Sequence, residues 1–554
     1  MPQPLRIVAL LGADSSPAKL CLQRILDIPG ITLAAILIDS APPSPAQRRR
    51  NLSRNIRREG YTYPVRRSLN ALLQRLDRLA NAPVTPAERD QLLHAAFPNE
   101  FHTVEALALH HHIPVICLGN LNSPEVAQRL AEIAPDLGVV LGTRILKSST
   151  FSVPRLGSIN LHKGQVPDYR GMPPGFWEVW DTQASAGVTV HFVDAGLDTG
   201  KIVLARQIPL SHVETPDTLK HKLDVLGSDT LADALILLRD DTAQPASQPF
   251  TTTKPRTRPT LAQIRQLSRR SPHLASQYKP VLYPVFKTLV YLLLVRCGLL
   301  ALIRRSRSAS RCAILLYHRV DDFSRDPLTI SRARFAEHLL TLRRFYSVQS
   351  SAWLVERLRA GQHIPPNTVV IHFDDCYESV ASAAAPLLKA AQLPATSFVS
   401  SGYIDTNRRF PHDERKYALF YPNMSSSQVQ SLPSYGVSVG AHTVNHVDMG
   451  ALATPAEASL ELETCKRHLE NLIGEPVELF SFPYGRPDNI RSEFLDLARQ
   501  AQYRAVFSAH GGYVQASTDL FDIPRIGISE YHRPLDLLLE LEGLTFSRIK
   551  QLLG

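Results

Sequence analysis

The segment TVVIHFDDCYES, from Thr368 to Ser379, decides the interpretation of the second half of this chain. Its first residues are mostly apolar and rich in β-branched side chains, which is typical of a buried β-strand. The strand then runs into two adjacent carboxylates, Asp374 and Asp375. Neighbouring negative charges repel each other and resist burial, so such a strand end requires a compensating cation. The segment therefore predicts a functional site at the end of a buried strand.

Two histidines downstream offer the partners of that cation. The stretch GAHTVNH contains His442 and His446, whose i, i+4 spacing predicts two imidazoles on one side of a helical turn. One carboxylate and two imidazoles form a three-ligand set with room for water, which is typical of catalytic divalent sites. In this interpretation the metal compensates Asp375, and Asp374 lies beside the bound water as a general base.

The region around these residues has the pattern of a barrel. Strand-like segments from Cys312 onward alternate with helical ones and include AILLYH, VVIHFDD, ATSFVS, VSVGAH, ELFSFPYG, RAVFSAH and FDIPRIGI. Seven such steps predict a (β/α) barrel or a distorted one. Tyr317 and His318 end the first of these strands, and roles in lining the cleft or in packing both stay open.

These motifs together resemble the NodB-type polysaccharide deacetylase family over about residues 312–554: D-D and FPYG at strand ends, H-x-x-x-H, and PRIGI near the finish. The resemblance implies a distorted (β/α) barrel that removes N-acyl groups from sugars with a divalent metal, most typically zinc. It assigns Asp374 as the base and Asp375, His442 and His446 as metal ligands. It also assigns the backbone N–H of Tyr484 as the oxyanion donor.

Three features depart from the family pattern. Cys376 stands where the family usually has glycine, and Ser481 stands where an arginine is common, so Arg525 is the expected partner of the base. A clear Leu-x-His motif for the general acid is missing, which leaves His510 and His532 as candidates. Metal binding is thus predicted, and hydrolysis by this half stays open.

The first half of the chain predicts a different α/β unit. Apolar segments such as LRIVALL, LAAILID, IPVICLG and LGVVLG alternate with helical segments such as PEVAQRLAEIAP. This alternation predicts a Rossmann-like parallel sheet with helices packed on it. The Pro/Thr/Arg-rich stretch QPFTTTKPRTRPT then marks a linker. The predicted domains are residues 1–250, a basic linker with an apolar helix over 251–311, and the barrel over 312–554.

A second group of polar residues follows the strands of this first unit. Asn160 and His162 are two residues apart in SINLHKG, so a strand directs both side chains to one face. Asp198 lies in a Gly-flanked turn after the strand VTVHFV. An amide, an imidazole and a carboxylate at strand ends are groups that can stabilise an oxyanion and move a proton.

The stretches RILKSSTFSVPRLGSINLHKGQVPDYRGMPPGFW and AGVTVHFVDAGLDTGKIV resemble the folate-dependent formyltransferase family, from about residue 6 to 248. The resemblance implies transfer of a formyl group from 10-formyltetrahydrofolate to an amine. It assigns Asn160 and His162 to the oxyanion and Asp198 to the departing proton. The folate would lie against the LGTRILK strand and the loop before Asp198, although individual cofactor-binding residues are not assigned. The tRNA-directed members carry a further RNA-binding domain, whose place the linker and barrel take here, so an amino sugar is the expected acceptor.

The charge distribution argues against a nucleic-acid partner. The net charge is +10, but residues 251–310 contain 12 Lys and Arg and no acidic residue, which leaves −2 for the remainder. The chain has six cysteines and no C-x-x-C pair, which favours a reducing compartment, so we expect a cytoplasmic protein.

The basic linker contains an apolar segment, in which 16 residues separate Lys287 from Arg304 and Arg296 interrupts them. A spanning helix needs about 20 apolar residues. Peripheral membrane contact through residues 281–307 and packing between the domains both fit the pattern.

The sequence as a whole predicts a bifunctional formyltransferase and deacetylase. Two alternatives stay open: a saccharide-binding or scaffolding protein with one inactive domain, and a methionyl-tRNA-type formyltransferase with an accessory hydrolase-like domain.

Overall fold

The computed structural model describes residues 4–39, 45–59, 61, 63–80, 83–98, 103–210, 214–270, 289–290, 292–306, 312–322, 327–416, 421–490 and 492–544. The chain divides into two compact units. The first comprises Met1–Ser68, Glu100–Lys279 and Lys416–Ala418, and the second comprises Leu69–Asn99, Pro280–Arg415 and Leu419–Gly554.

The first unit is built on a sheet with the strand order β3-β2-β1-β4-β5-β6-β7 in the described residues. Its strands are β1 (Leu5–Leu11), β2 (Ile31–Asp39), β3 (Val115–Leu118), β4 (Leu137–Leu141), β5 (Ser158–His162), β6 (Ser185–Phe192) and β7 (Ile202–Pro209). The strands from β3 to β5 pair in parallel, whereas β6 pairs antiparallel with both β5 and β7. The predicted Rossmann-like parallel sheet is therefore confirmed, with an antiparallel extension at one edge.

The helices up to residue 270 are α1 (Ser16–Leu26), α2 (Pro45–Glu59), α3 (Tyr63–Ala80), α4 (Pro86–Ala96), α5 (Val104–His110), α6 (Pro124–Ile133), α7 (Ser148–Phe151), α8 (Phe176–Trp180), α9 (Pro216–Arg239) and α10 (Leu261–Arg270). Of these, α4 and most of α3 belong to the second unit. Side chains of α1 and α9, among them Leu22 and Leu231, bury against β1 and β6 in one apolar cluster. This packing leaves the carboxyl ends of β4 and β5 available for a site.

The second unit is a curled parallel sheet with the strand order β16-β15-β14-β13-β12-β8-β17 in the described part of the chain. Its strands are β8 (Cys312–Tyr317), β9 (Arg319–Val320), β10 (Thr329–Ile330), β11 (Ser347–Val348), β12 (Thr368–Phe373), β13 (Ala395–Val399), β14 (Val437–Ala441), β15 (Leu479–Ser481), β16 (Ala505–Phe507) and β17 (Ile526–Gly527). A bridge between Phe507 and Ile523 brings the two ends of the sheet together. The predicted distorted barrel is confirmed.

The helical elements of this unit lie between those strands. The α-helices are α11 (Leu299–Ser306), α12 (Arg332–Phe345), α13 (Ser351–Arg359), α14 (Ala385–Ala391), α15 (Pro411–Lys416), α16 (Ser426–Ser431), α17 (Pro455–Ile473), α18 (Ser492–Gln500) and α19 (Pro534–Leu541). Short π-helical turns span Leu292–Arg296 and Val380–Ala384, and 3-10 turns span Ser401–Tyr403, Leu432–Tyr435, Met449–Ala451 and Pro487–Asn489.

Strand β12 is an interior strand of this sheet and is buried along its whole length. It pairs in parallel with β8 on one side and β13 on the other. The apolar run before the two carboxylates is therefore the buried strand that the sequence predicts. Asp375, two residues past the strand end, has a φ of +78°, which turns the chain sharply there.

Helix α4 belongs to the second unit although it lies early in the sequence. Leu92, Leu93 and Phe97 are buried in the main apolar cluster of that unit. Arg344 of α12 also pairs with Glu88 of α4, at 2.5 Å. The prediction of a first domain over residues 1–250 does not assign α4 to the second unit, because the residues that α4 packs against lie about 250 positions away in sequence.

The start of the predicted linker packs on the first unit. The Trp177 indole donates a hydrogen bond to the carbonyl of Thr257 at 2.9 Å, and Arg256 pairs with Asp181 at 2.5 Å. Leu267 of α10 is buried against Trp177. Within the predicted membrane-contact segment, residues 281–307, positions 281–288, 291 and 307 lie outside the described residues. Among the helices that are described, none combines the length and apolar character needed to span a membrane.

Candidate active sites

The first site lies where β5 and β6 pair. Asn160 and His162 point to the same face of β5, and His162 is 8% exposed. Asp198 lies in the turn that follows β6, with a φ of +54°. Its Oδ2 atom lies 3.4 Å from His162 Nδ1. The structure therefore brings the predicted imidazole and carboxylate together.

Both ring nitrogens of His162 face acceptors. Nδ1 faces Asp198, and Nε2 lies 2.7 Å from the carbonyl oxygen of Tyr169. Only a doubly protonated imidazole can donate to both groups. Burial lowers the pKa of His162, and the charge of Asp198 and the Tyr169 carbonyl act in the opposite direction. The net effect lowers the pKa of His162, so at neutral pH the ring is neutral and donates to only one of the two acceptors.

Asp198 is held by neighbours on several sides. The backbone N–H of Gly171 donates to its Oδ2 at 3.1 Å, and the Gln248 amide donates to its carbonyl oxygen at 3.0 Å. Burial would raise the pKa of Asp198, but His191, His162 and the Gly171 N–H outweigh it and lower the pKa. Asp198 is therefore ionised at neutral pH and able to accept a proton.

His191 is a site residue that the sequence did not single out. It is 3% exposed on β6, where it pairs directly with Asn160 across the antiparallel register. Its Nε2 lies 3.2 Å from Asn160 Nδ2 and 3.6 Å from Asp198 Oδ1. His191 thus connects Asn160 to Asp198. The signal in the sequence was a histidine inside the apolar strand VTVHFV, where a polar residue needs a partner.

The second site is a buried cluster of three ligand-type residues. Asp375 Oδ1 lies 3.5 Å from His442 Nε2 and 3.0 Å from His446 Nε2, and all three side chains are buried. His442 Nδ1 lies 2.7 Å from the Ser481 carbonyl, so it donates there and presents Nε2 to the cluster. The predicted set of ligands therefore converges.

This donor set fits a divalent metal. Within the described residues, Asp375 Oδ2 is a buried oxygen without a hydrogen-bond partner, which a nearby cation would compensate. Burial would raise the pKa of Asp375, but His446 and His442 outweigh it and hold the pKa well below its usual range. One carboxylate and two imidazole nitrogens form a set that suits zinc and related metals.

The two histidines lie on a loop, so the predicted helical turn is wrong. Strand β14 ends at Ala441, and Thr443 and His446 have φ values of +60° and +51°. Glu461 of α17 fixes this loop by accepting hydrogen bonds from the backbone N–H groups of Val444 and Asn445, at 2.7 and 2.9 Å. The two imidazoles come together because Thr443 and His446 adopt left-handed backbone conformations and because the Glu461 carboxylate holds the loop between them.

Asp374 has its own cation. Arg525 donates from Nη1 and Nη2 to the two carboxylate oxygens of Asp374, each at 2.7 Å, and both side chains are buried. Arg525 also donates to the Ser481 hydroxyl at 2.6 Å. Burial would raise the pKa of Asp374, but Arg525 and His442 outweigh it and lower the pKa. The arginine expected at position 481 is thus replaced by one from another strand.

The other predicted positions have varied surroundings. Cys376 packs in the apolar core, where burial raises the pKa of its thiol. Tyr484 has a φ of +63°, and its ring centroid lies 5.0 Å from that of His446. His510 bonds Asp522 at 2.8 Å, and His532 accepts from the Ser529 N–H at 3.1 Å. None of these contacts joins His510 or His532 to Asp374 or Asp375, so the role of either histidine as the general acid stays a prediction.

A different histidine, His318, lies within electrostatic range of both carboxylates. Burial lowers the pKa of His318 to about 4, while the charges of Asp375 and Asp374 act to raise it. His318 directly follows β8, which pairs with β12. Its position at the end of the neighbouring strand is the signal by which the sequence pointed to it.

Comparisons with known proteins match both halves of the chain. A formyl transferase family profile matches residues 102–235, and a polysaccharide deacetylase profile matches residues 361–506. Methionyl-tRNA formyltransferase of Ruminiclostridium cellulolyticum is 34% identical over 140 residues, or 25% of this chain and 45% of that protein. The Geobacter sulfurreducens enzyme of the same name is 38% identical over 136 residues, or 24% of this chain and 43% of that protein. The chain thus spans less than half the length of these relatives.

One solved structure aligns with part of the chain. The Streptococcus pyogenes deacetylase PplD in complex with acetate aligns with a TM-score of 0.37 and 22% identity, covering 42% of this chain and 99% of that one. The family resemblances predicted from the sequence are confirmed by the two profile matches.

Proposed function

We propose that this chain, which combines a formyltransferase domain with a polysaccharide deacetylase domain, is a bifunctional enzyme that acts on amino sugars. One half would transfer a formyl group from 10-formyltetrahydrofolate to an amine. The other half would hydrolyse an N-acyl group with a divalent metal. The observation that carries this proposal is the clustering of polar residues inside each matched region: the His162–Asp198 pair in the first, and Asp375, His442 and His446 in the second.

In the formyl transfer, the amine of the acceptor attacks the formyl carbon directly, so a covalent enzyme nucleophile is unnecessary. The Asn160 amide and the His162 imidazole would donate hydrogen bonds to the oxyanion that forms. Asp198, which is ionised and bonded by Gly171, would accept the proton that leaves the amine. His191 would keep Asn160 and Asp198 in position, because it contacts both.

In the hydrolysis, Asp375, His442 and His446 would hold the metal, which we propose to be zinc. When bound, such a metal supplies Lewis-acid polarisation of a carbonyl and a lowered pKa for water. Asp374, kept ionised by Arg525, would take a proton from the attacking water. The Tyr484 backbone N–H would donate to the oxyanion.

The presence of a polysaccharide deacetylase domain in the same chain supports an amino sugar as the formyl acceptor. One order of reactions that fits is deacylation, which exposes the amine that is then formylated. Reduced folates are cytosolic, so we propose that both domains work in the cytoplasm. The sugar, its acyl group and any carrier are not specified by the residues described here.

A second candidate acceptor is an aminoacylated tRNA. It is favoured by the curated relatives, which are methionyl-tRNA formyltransferases. Against it, the match ends at residue 235 and is followed in this chain by the deacetylase domain rather than by an RNA-binding one.

The test is an incubation of the full chain with 10-formyltetrahydrofolate and either a panel of amino sugars or methionyl-tRNA, with tetrahydrofolate release as the readout. We expect turnover with at least one amino sugar and its loss in Asp198→Asn. Turnover with methionyl-tRNA alone would establish the second candidate. For the other half, we expect release of acyl groups from N-acyl sugars that requires added zinc and disappears in Asp375→Asn. Equal rates of acyl release with and without added zinc would exclude the proposed hydrolase mechanism.

A further inference from the structure

One loop of the first unit contacts both His162 and Asp198. This loop, residues 163–172, leads from β5 towards α8. The carbonyl oxygen of its Tyr169 lies 2.7 Å from His162 Nε2, and the N–H of its Gly171 donates to Asp198 Oδ2 at 3.1 Å. The placement of the imidazole and of the carboxylate therefore depends on the conformation of the 163–172 loop.

A segment that follows α9 in sequence runs beside this loop. Arg256 forms a parallel bridge with Gly171. The Arg256 N–H donates to the carbonyl of Arg170 at 2.7 Å, and the Met172 N–H donates to the carbonyl of Arg256 at 3.2 Å. The contact is close, because a Cβ atom at Gly171, whose φ is +93°, would lie 2.2 Å from the Arg256 carbonyl oxygen. The backbone of Arg256 thus holds both neighbours of Gly171.

The side chain of Arg256 has its own contacts with the loop and with α8. Arg256 Nη2 lies 2.5 Å from Asp181 Oδ2, and the Tyr169 hydroxyl donates to the same oxygen at 3.1 Å. The guanidinium carbon lies 5.5 and 5.1 Å from the ring centroids of Tyr169 and Trp177. A guanidinium over aromatic rings and beside a carboxylate is held by both interactions. Asp181 therefore joins Arg256 to Tyr169, whose carbonyl faces His162.

The same segment also holds the turn that carries Asp198. The Gln248 amide donates to the carbonyl oxygens of Asp198 and Gly200, at 3.0 and 2.8 Å. Arg256 lies beyond residue 235, where the formyl transferase match ends, and in the stretch that the sequence predicts to be a linker. The contacts of Arg256 therefore attach the start of that stretch to the site.

We propose that Arg256 is a positioning residue of the formyltransferase site, which acts through the 163–172 loop. This proposal rests on the proposed function of the first half as a formyltransferase. Arg256 keeps the loop in place, so that the loop stays bonded to Asp198 and next to His162. The start of the predicted linker is then part of this active site.

The test measures formyl transfer by the full chain, with 10-formyltetrahydrofolate and a panel of amino sugars and methionyl-tRNA, over a range of pH. Arg256→Met keeps a side chain of similar length without the guanidinium. We expect kcat to fall about 10- to 100-fold, because displacing a catalytic group costs that much, while the KM for the folate stays within about threefold of the wild type. Asp181→Asn removes the counter-ion and should lower kcat as well. Arg129→Met, at an ion-paired position whose side chain is 52% exposed, is the matched control.

The pH profile separates positioning from a merely structural role. His191, His162 and the Gly171 N–H together lower the pKa of Asp198. When Arg256→Met releases Gly171, the pKa of Asp198 should rise, and the acid limb of the profile should move to higher pH. A merely structural role would lower the rate equally at every pH.

Hydrogen exchange followed by mass spectrometry gives a readout that does not need turnover. The Gly171 and Met172 N–H groups are both bonded, so a peptide that contains them should exchange about tenfold faster in Arg256→Met than in the wild type. Wild-type exchange and an unshifted acid limb in both Arg256→Met and Asp181→Asn would overturn the proposal, as would a lower kcat with an unshifted acid limb. Faster exchange in a chain that formylates no acceptor would instead refute the proposed function and leave the contact between Arg256 and the loop in place.

Discussion

Asp374 and Asp375 are neighbours in sequence, but different groups compensate their charges. Arg525 binds both oxygens of Asp374, whereas Asp375 faces His442 and His446. The two residues can therefore have distinct roles, one as a proton acceptor and the other as a ligand. Each carboxylate thus has its own compensating group, which offsets the repulsion between the two buried charges.

Replacing Arg525 with methionine tests this division. The variant leaves the Asp374 carboxylate buried without its main cation, so its pKa should rise. We expect the acid limb of the deacylation pH–rate profile to move to higher pH, and the unit to lose about 3–5 kcal/mol of stability, as is usual when one partner of a buried pair is removed. Arg499→Met, at a position whose side chain is 44% exposed, is the matched control. An unshifted acid limb in Arg525→Met would show that Asp374 is not the titrating base.

His191 is the residue whose replacement should separate the two activities. His191→Phe removes the contacts with Asn160 and Asp198 but keeps a ring of similar size. Because His191 lowers the pKa of Asp198 and fixes both groups, we expect formyl transfer to fall about 100-fold, the cost of a displaced catalytic group. Deacylation by the same variant should be unchanged and is the internal control. Equal formyl transfer by variant and wild type would remove His191 from the site.

At the scale of elements, helix α4 is the least expected part of the fold. Its own sequence, PAERDQLLHAA, begins with a capping box in which Thr85 and Glu88 exchange hydrogen bonds. Its burial comes from distant partners, the cluster that also contains Phe335 and Leu388. A segment that precedes the formyltransferase match, residues 102–235, therefore contributes to the core of the second unit.

Leu92→Ala and Leu93→Ala should accordingly destabilise the second unit. Both side chains are buried, at 6% and 7% exposure, and truncating a buried leucine usually costs about 2–5 kcal/mol. We expect the thermal unfolding of the second unit, followed by loss of deacylation activity, to occur at lower temperature, while formyl transfer keeps its wild-type profile. Leu460→Ala, at a site 66% exposed, is the matched control. Destabilisation of formyl transfer alone would contradict the assignment of α4 to the second unit.

At the scale of the whole molecule, the sequence predicts what depends on local pattern. Apolar runs such as VVIHF and LRIVALL mark the buried strands, and the carboxylates and histidines beside them mark the sites. The prediction fails where a helical turn and a loop can both bring residues i and i+4 together. His442 and His446 have this spacing, and they lie on a loop that Glu461 holds. The prediction also does not show which partners two neighbouring strands bring together, as with His191 of β6, which pairs with Asn160 of β5. Such contacts depend on register and long-range packing, which a local pattern does not encode.

The stability of the second unit should depend on pH because of its buried histidines. His338 and His372 are both 0% exposed. Burial lowers the pKa of His338 to about 3, against the opposing effect of the His532 carbonyl. Burial, with Arg525 adding to it, holds the pKa of His372 well below its usual range. Both are therefore neutral in the folded chain, whereas in the unfolded chain they titrate near pH 6.5.

The sign of the effect follows from where the protons bind. Above pH 6.5 both states are neutral at these residues, so their full contribution to stability is present. As the pH falls below 6.5, the unfolded chain takes up protons that the folded chain excludes, and the free energy of unfolding falls by about 3 kcal/mol per pH unit for the two residues. The loss continues until the pH approaches the folded-state pKa values. The depressed pKa values of Asp374 and Asp375 act only at lower pH, so they do not contribute to this slope.

Urea unfolding of the second unit at pH 7.0 and 5.5 measures that slope, with deacylation activity or an intrinsic fluorescence change as the signal. His372→Phe removes one titrating group between Phe398 and Phe507, whose ring centroids lie 5.0 and 4.7 Å away. Since the pKa of His318 is lowered as well, to about 4, about a third of the slope should disappear. The exposed His363→Phe should leave the slope unchanged. A free energy of unfolding that stays constant between the two pH values would mean that protons reach the buried histidines in the folded chain. In that case the interior of the barrel would be accessible to water, and the electrostatic compensation of its two carboxylates would not depend on burial.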